Sequence, residues 1–312
     1  MFDTIRMKAI NILIDDNIFK NLGNIVDETS YIDRNSGETN TVYRLKDEKI
    51  PYLIYYTNSQ MLLLQLSIPK FLFGNNIQMV NEDDIMVFFT KLNSHLITLL
   101  HINVDPIDWT ITNRIDVSWN FQVGSNVSDY IMQLAKRKIP YKKTIVYNHN
   151  ETVVFENKSS RIMFYDKHKQ CLQTKESYEI TKEAKGILRL EISPSIADIK
   201  KFSHKKKAIE LLTREFFQTL TKPILEGITF HNIENELNLE WLKQQKSISN
   251  AETIMGFRMI SEAFGDSVLK ELYSPKTLLN RKNMIEQLPF TKVNKLLDLK
   301  INYKKVMDNG AG

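Results

Sequence analysis

Two kinds of apolar spacing divide the first 200 residues of this chain. Apolar residues at alternating positions, often β-branched, predict short β-strands, because successive side chains of a strand point to opposite faces. Such runs lie at 2–14, 41–47, 51–57, 60–68, 143–148 and 151–157. Only Asn58 and Ser59 separate two of these runs, which indicates a tight hairpin in an antiparallel meander.

Helical spacing occurs between the strands. A stripe with a period of 3.6 residues predicts a helix over 82–101, formed by Ile85, Phe88, Phe89, Leu92, Leu96, Leu99 and Leu100. A shorter helix is predicted over 127–138, and the polar stretches 24–40 and 170–185 are predicted to be loops. Together the patterns predict an α+β fold, a largely antiparallel sheet with packed helices.

The pattern changes near residue 200. Helical spacing then predominates, with Gly265 and Pro275 as breaks, and it predicts helices over 205–222, 250–264, 266–273, 275–288 and 291–307. We therefore predict a domain over 1–200 and a helical C-terminal region over 201–312 that binds DNA or a partner. A helix-turn-helix over 250–288 and plain helix packing both fit the spacing.

Composition limits the function only slightly. The 312 residues include 42 Lys and Arg against 37 Asp and Glu, giving a net charge of +5, which favours a polyanion only where the bases cluster. The single cysteine, Cys171, excludes an intramolecular disulfide and suits a reducing compartment. No apolar run approaches the roughly 20 residues that span a bilayer, so we expect a cytoplasmic protein without a membrane partner.

Ionisable side chains occupy alternating positions in three further strand-like segments, at 114–120, 160–166 and 188–193. The first segment places Asp116 on the same face as Arg114, and the last places Glu191 on the same face as Arg189. The middle segment ends near Tyr165, next to lysines that suit contact with a phosphate. The alternative interpretation is a half-buried sheet tyrosine and acids that pair with the arginines two residues away.

Five fragments keep a shared order along the chain: Met1–Arg6, Leu66–Asn76, Arg114-Ile-Asp116, Tyr165-Asp-Lys167 and Arg189-Leu-Glu191. Together they resemble the replication initiators of filamentous phages and of related phages and plasmids, which start rolling-circle replication. The resemblance covers about residues 1–200. Related plasmid initiators often carry a glutamate a few residues after the tyrosine, where this chain has Lys169 and Gln170, so no third metal ligand is identified.

The resemblance implies origin-specific DNA nicking and strand transfer. Tyr165 would attack a DNA phosphodiester and leave a 5′-phosphotyrosine and a free 3′-hydroxyl. Asp116 and Glu191 would hold Mg²⁺ or Mn²⁺, which prefer oxygen ligands. Lys167 would stabilise the charge on the reacting phosphate, with Arg114 or Arg189 in support.

The implied partner is DNA at a replication origin, single-stranded or supercoiled, in the cytoplasm of a bacterial host. The chain has no Gly-rich nucleotide-binding loop of the Walker type, so a host helicase would open the duplex and a host polymerase would extend the 3′ end. The predicted DNA contacts are Arg114, Arg189 and two basic clusters, Lys136-Arg137-Lys138 and Lys205-Lys206-Lys207. A solubilising surface is the alternative for both clusters.

Two other functions fit the same sequence. One is a non-catalytic DNA-binding replication or copy-control protein, and the other is a scaffold with incidental basic patches. Salt-sensitive DNA binding would exclude the scaffold. A covalent adduct with DNA would exclude the non-catalytic protein.

Overall fold

The computed structural model describes residues 1–32, 37–148, 151–230, 247–286 and 296–303. Its strands are β1 (Phe2–Ala9), β2 (Val26–Ile32), β3 (Thr39–Leu45), β4 (Tyr52–Tyr56), β5 (Met61–Ser67), β6 (Thr110–Gln122), β7 (Lys143–Tyr147), β8 (Thr152–Glu156), β9 (Arg161–Asp166) and β10 (Ile187–Ser193). Its helices are α1 (Asp16–Leu22), α2 (Ile68–Phe73), α3 (Asp83–Leu100), α4 (Val127–Ala135), α5 (Lys167–Gln173), α6 (Tyr178–Glu183), α7 (Ile196–Phe202), α8 (Ala208–Leu211), α9 (Arg214–Glu226), α10 (Ile248–Leu272) and α11 (Pro275–Glu286). The predicted α+β class is confirmed.

In the described part of the chain the strands form one ten-stranded sheet with the order β2-β3-β4-β5-β1-β6-β10-β9-β8-β7. Every pairing of neighbouring strands is antiparallel, which confirms the predicted meander. Each half of the sheet has the same topology. A long strand, β1 or β6, leads through one helix to a four-stranded meander, and the last strand of that meander pairs with the long strand. The two long strands pair with each other at the centre, where Arg6 lies opposite Arg114.

One face of the sheet is apolar and covered by helices. Phe2 of β1 and Trp119 of β6 contact the ring of Phe217 on α9, with ring centroids 6.5 and 5.7 Å apart. Helix α4 packs against β7 to β10. Because side chains alternate along a strand, the opposite face receives the polar residues, Asp116 of β6 and Glu191 of β10 among them.

The two predicted loops are wrong. The stretch 24–40, apart from 33–36 outside the described residues, contains β2, an edge strand whose residues after Val26 are all exposed. No buried alternation marks such a strand in the sequence. The stretch 170–185 contains the end of α5 and all of α6, which begins after Ser177. Helices of six or seven residues are too short for a clear apolar stripe.

The chain divides into two compact units, Met1–Thr229 with the segment from Asp298 onward, and Phe230–Leu297. The predicted boundary at residue 200 falls within α7, inside the first unit. The predicted helix over 205–222 is split into α8 and α9. Among the described helices, none has the length and apolarity needed to cross a membrane.

The second unit contains α10 and α11 in its described residues. Helix α10 is interrupted at Gly265, whose φ of 72° lies in the left-handed region, so the break predicted there is confirmed. Helix α11 begins at Pro275, as predicted. The predicted helix over 291–307 is wrong for 296–303, which are not helical, and its other residues lie outside the described chain.

Candidate active site

The polar face of β6, β9 and β10 brings the three predicted catalytic strands together. Strand β10 lies between the other two, with Arg189 opposite Tyr165 of β9 and Glu191 opposite Ser118 of β6. Tyr165, Glu191 and Asp116 therefore lie on one face of adjacent strands. The sequence predicted this face correctly, because each strand shows clean alternation.

Tyr165 is almost completely buried, with 6% of its surface exposed. Its hydroxyl donates a hydrogen bond to Oε2 of Glu191 at 3.2 Å. Burial raises the pKa of the hydroxyl well above its usual value, and the negative charge of Glu191 raises it further, against the lowering effect of Arg189. The hydroxyl is therefore a weak acid that needs a base before it can attack.

Glu191 is the carboxylate that accepts the hydrogen bond of that hydroxyl. Burial raises the pKa of its carboxyl, and the neighbouring carboxylates of Asp3 and Asp116 raise it further, while Arg189 opposes them. A carboxyl with a raised pKa is a better proton acceptor once it is ionised. In the described residues Glu191 receives one hydrogen bond, that of Tyr165.

A cavity of about 240 Å³ opens between β8, β9, β10 and α5. Tyr165 and Glu191 both line it, together with Glu151, Thr152, Met163, Asp166, Lys169, Gln170 and Gln173. Although the tyrosine ring is buried, the cavity gives a small substrate group access to the Tyr165–Glu191 pair.

Lys167, predicted to stabilise the reacting phosphate, is completely buried and does not line this cavity. Its ammonium donates hydrogen bonds of 2.8 Å to Oδ1 of Asn76 and to Oε1 of Gln170, both of which are uncharged. Burial lowers its pKa to about 8, with a further lowering by Arg189. The lysine on the cavity wall is Lys169, half-exposed and 3.6 Å from Glu151.

Arg189, predicted to contact DNA, is buried instead at the centre of a polar network. Its Nη2 donates to Oδ2 of Asp3 at 2.6 Å and to Oγ of Ser118 at 3.0 Å. Its Nη1 donates to the carbonyl of Asn76 at 2.8 Å and to Oδ1 of Asn120 at 3.2 Å. DNA cannot reach a guanidinium in this position, so Arg189 is a structural residue that orders the strands beneath the site.

Asp116 lies on the far side of Glu191 and already has two partners. Its Oδ2 accepts from Nε of Arg114 at 2.6 Å, and its Oδ1 accepts from Oγ of Ser193 at 2.6 Å. Burial nevertheless raises its pKa, outweighing the lowering by Ser193 and Arg114. Arg114 thus pairs with the acid two residues away, as the alternative interpretation expected, while 44% of its side chain stays exposed.

The sequence interpretation assigns a metal to the carboxylates of Asp116 and Glu191, which lie on one face of the neighbouring strands β6 and β10. Their oxygens are the ligands that Mg²⁺ and Mn²⁺ prefer, and the charge of Asp116 raises the pKa of Glu191. Among the residues that the structure describes, no group of three or more His, Cys, Asp and Glu side chains could hold a metal. Magnesium often binds through one or two carboxylates, with waters and substrate phosphates completing its shell. A metal held in that way by Asp116 and Glu191 stays a prediction.

The two predicted basic clusters differ in the contacts of their side chains. Lys205 is exposed, but Lys206 and Lys207 donate hydrogen bonds of 2.8 and 2.7 Å to the backbone carbonyls of Thr112 and Ile107. In the other cluster Lys136 and Lys138 are exposed, while Arg137 donates a hydrogen bond to a backbone carbonyl, that of Thr229. Both clusters stay predicted DNA contacts.

The sequence interpretation missed two residues of the buried polar network, Asp3 and Asn76, and of the two lysines beside Tyr165 it assigned the catalytic role to Lys167 rather than to Lys169. Asp3 holds Arg189, Asn76 holds Lys167, and Lys169 lines the cavity. Asp3 and Asn76 lie within fragments that carry the family resemblance, but nothing in their local pattern shows what they contact. Lys169 follows Lys167 by two residues, and only the start of α5 decides which lysine faces the cavity.

A family model described as the N-terminal region of a phage replication-associated protein matches residues 25–223. The matched segment includes Asp116, Tyr165 and Glu191 and ends within α9. No curated protein matches the chain.

Proposed function

Since the chain belongs to this family of phage replication-associated proteins, and so to the phage replication initiators, we propose that it nicks one DNA strand at an origin and holds the 5′ end on Tyr165. One observation carries the proposal. The Tyr165 hydroxyl lines an open cavity and is hydrogen-bonded to a carboxylate that can accept its proton.

The proposed step exchanges one phosphate ester for another. Oη of Tyr165 attacks the phosphorus of a DNA linkage, and its proton passes to Oε2 of Glu191, 3.2 Å away. The bond from phosphorus to the 3′ oxygen breaks, and that oxygen takes a proton to become the free 3′-hydroxyl. Attack by a 3′-hydroxyl on the phosphotyrosine reverses the step and rejoins the strand.

The lysines would act in different ways. Lys169, on the cavity wall, can contact the phosphate directly. Lys167 would act at a distance, because its hydrogen bonds go to uncharged oxygens and leave its positive charge unneutralised beside Glu191 and Arg189. Asp116 and Glu191 would hold Mg²⁺ or Mn²⁺, which when bound polarises a phosphate oxygen.

The test is a covalent adduct. Wild-type protein incubated with Mg²⁺ and a single strand from the cognate origin should yield a protein–DNA adduct that survives denaturation, with a free 3′-hydroxyl on the other fragment. EDTA should remove most of the adduct because it removes the metal. Asp116→Asn and Glu191→Gln should do the same because each removes an oxygen ligand, and Glu191→Gln also removes the proton acceptor. DNA binding should be largely kept in all three cases. Full adduct formation in excess EDTA would contradict the metal site. Cleavage that gives a free 5′-phosphate without an adduct would replace strand transfer by hydrolysis.

The rate of adduct formation should rise and then fall with pH. Glu191 must be ionised both to accept a proton and to hold the metal, so the rate rises with pH as its carboxyl loses its proton. Lys167 has a pKa of about 8, so its charge is lost, and the rate falls, as the pH rises past that value. Lys167→Arg stays protonated and should remove the falling limb. A falling limb of equal size in wild type and Lys167→Arg would contradict the electrostatic role of Lys167.

The lowered pKa of Lys167 also predicts how the free energy of unfolding changes with pH. Between about 8 and the ordinary value of 10.5, Lys167 binds a proton in the unfolded chain but not in the folded one. Its contribution to the free energy of unfolding therefore rises with pH over that window. Urea denaturation of wild type and Lys167→Met across this pH range measures the difference, which should change with pH in that direction.

Non-catalytic DNA binding is the second candidate function, and the burial of Tyr165 favours it. With 6% of its surface exposed and its hydroxyl bonded to Glu191, Tyr165 has the environment of a purely structural residue. DNA binding by wild-type protein without any adduct in Mg²⁺ or Mn²⁺ would support this function over nicking.

A further inference from the structure

The first half of the sheet carries a group of cations on the same face as the site. Arg6 of β1 lies directly opposite Arg114 of β6, and Lys8 follows Arg6 by two residues on the same face. Like charges opposite each other in a sheet lower its stability. An arrangement of this kind is stabilised by a bound anion, and none of the predicted DNA contacts includes Arg6 or Lys8.

The neighbours of these cations leave most of the charge unneutralised. Arg6 donates to the hydroxyl of Tyr52 at 2.8 Å, and its guanidinium lies 4.6 Å from the centre of that ring. Among the described residues, neither Arg6 nor Lys8 has a carboxylate within ion-pair distance. Arg114, by contrast, is paired with an acid, Asp116.

Lys206 adds to the same positive region. Its ammonium is fixed on the carbonyl of Thr112, two residues before Arg114 on β6. In the sheet register Lys8 lies opposite Thr110, two residues before Thr112. Burial lowers the pKa of Lys206, and repulsion by Lys200 and Lys8 lowers it further. We define the cationic patch as Arg6, Lys8, Arg114 and Lys206.

A chain of short contacts joins this patch to the tyrosine. Arg114 contacts Asp116 at 2.6 Å, Asp116 contacts Ser193 at 2.6 Å, and Ser193 lies two residues from Glu191 on the same face of β10. Glu191 in turn contacts Tyr165. From β1 to β9 there are three strand spacings, or about 14 Å across the sheet, and along the strands Arg114 lies six residues, or about 20 Å, from Asn120 at the level of Tyr165. A DNA strand held at Tyr165 must therefore extend over several nucleotides to reach the cationic patch.

We propose that the cationic patch binds phosphates of the single-stranded DNA that continues from the linkage cleaved at Tyr165. The proposal rests on the proposed function, since it places the cleaved strand at that tyrosine. The two halves of the sheet then have different roles. The second half supplies the nucleophile, the carboxylates and Arg114, and the first half, with the same topology, supplies Arg6 and Lys8 on the other strand of the β1–β6 pair.

Two features favour a single strand over a duplex. The cavity at Tyr165 has a volume of about 240 Å³, which admits one nucleotide linkage and excludes a double helix. Arg6, Lys8 and Lys206 are partly exposed and Arg114 is exposed, so a flexible strand can follow the surface and keep its phosphates in contact with these side chains. Arg6 is already held against Tyr52, so its guanidinium is ordered before DNA binds.

The test is the salt dependence of binding to a fluorescently labelled single strand, measured by anisotropy. Arg6→Gln/Lys8→Gln should bind more weakly than wild type, and the slope of log K against log salt should be shallower by about 1.4, at roughly 0.7 for each lost contact with a single strand. The matched control is Lys20→Gln/Lys91→Gln, which removes the same charge from exposed positions on α1 and α3 and should keep the wild-type slope.

The dependence of adduct formation on DNA concentration separates this inference from the proposed function. Arg6→Gln/Lys8→Gln should need more DNA than wild type to reach half of its adduct yield, while Lys20→Gln/Lys91→Gln should match wild type. Arg6→Lys/Lys8→Arg keeps both charges and should keep most of the slope, which shows that charge and not a folding defect is responsible. A slope in Arg6→Gln/Lys8→Gln equal to that of the control variant would overturn the proposal. A loss confined to duplex DNA would overturn the single-strand assignment, and absence of any adduct in wild type would instead contradict the proposed function.

Discussion

Replacing Arg189 with Met should lower the free energy of unfolding by about 3–5 kcal/mol, the loss that follows when a buried ion pair keeps only one partner. The remaining partner is Asp3, whose carboxylate is 2.6 Å from Nη2 of Arg189 and is itself buried. Burial opposes ionisation of Asp3, and the charge of Arg189 is the main influence that holds its pKa below the ordinary value. Without Arg189, this carboxyl must take up a proton or carry an unpaired charge.

The effect is large because one guanidinium connects three parts of the fold. It bonds Asp3 of β1, Ser118 and Asn120 of β6, and the backbone of Asn76 in the segment between α2 and α3. Since a domain is typically stable by only about 5–15 kcal/mol, this one substitution should remove a large share of the total.

Urea denaturation of three variants tests this prediction. Lys46→Met is the control, because it breaks the exposed pair with Asp27, whose side chains are 64% and 58% exposed, and should cost less than about 1 kcal/mol. Asp3→Leu/Arg189→Met removes both charges and should recover much of the stability lost in Arg189→Met. Equal losses in Arg189→Met and Lys46→Met would show that the buried network contributes little.

Tyr165→Phe should abolish the covalent adduct and leave DNA affinity close to that of wild type. The substitution removes the attacking oxygen and keeps the ring in its buried site on β9. The fold should lose at most about 1–3 kcal/mol, because the hydrogen bond to Glu191 is lost. Adduct on denaturing gels and anisotropy with the same single strand measure the two effects separately.

Tyr147→Phe and Tyr178→Phe are the matched controls. Both tyrosines lie near the site in sequence and are more exposed than Tyr165, at 45% and 76%. Neither lines the cavity that contains Glu191. Each control should therefore form the adduct as wild type does. Loss of adduct in Tyr178→Phe, with retention in Tyr165→Phe, would keep the reaction and move its nucleophile to α6.

The sequence was sufficient to predict the position of a site residue where its own strand determines the direction of its side chain. Alternation alone placed Asp116, Tyr165 and Glu191 on polar faces, and antiparallel pairing then brought those faces together. It was not sufficient where a residue's partner lies far along the chain. Asp3 and Arg189 are 186 positions apart, and Asn76 and Arg189 are 113 apart, so no local pattern distinguishes a buried Arg189 from one that contacts DNA.

The prediction from sequence also failed at an edge of the sheet and at the short helices. Strand β2 lies at an edge with almost no buried side chains, so burial leaves no signal in its sequence. Helix α5 starts directly at the end of β9, and its first residue, Lys167, turns into the interior while Lys169 faces the cavity. The equal topology of the two sheet halves was also invisible, since strand order depends on pairing and not on spacing.

The most direct test of the central claim is to identify the amino acid that becomes attached to DNA. Wild-type protein is allowed to react with an origin single strand in Mg²⁺, the adduct is digested with a protease and a nuclease, and the peptide that keeps a nucleotide is sequenced by mass spectrometry. We predict that the nucleotide is on Tyr165, within the peptide that spans β9 and the start of α5. A nucleotide on any other residue, or no modified peptide despite cleavage of the strand, would contradict Tyr165 as the nucleophile.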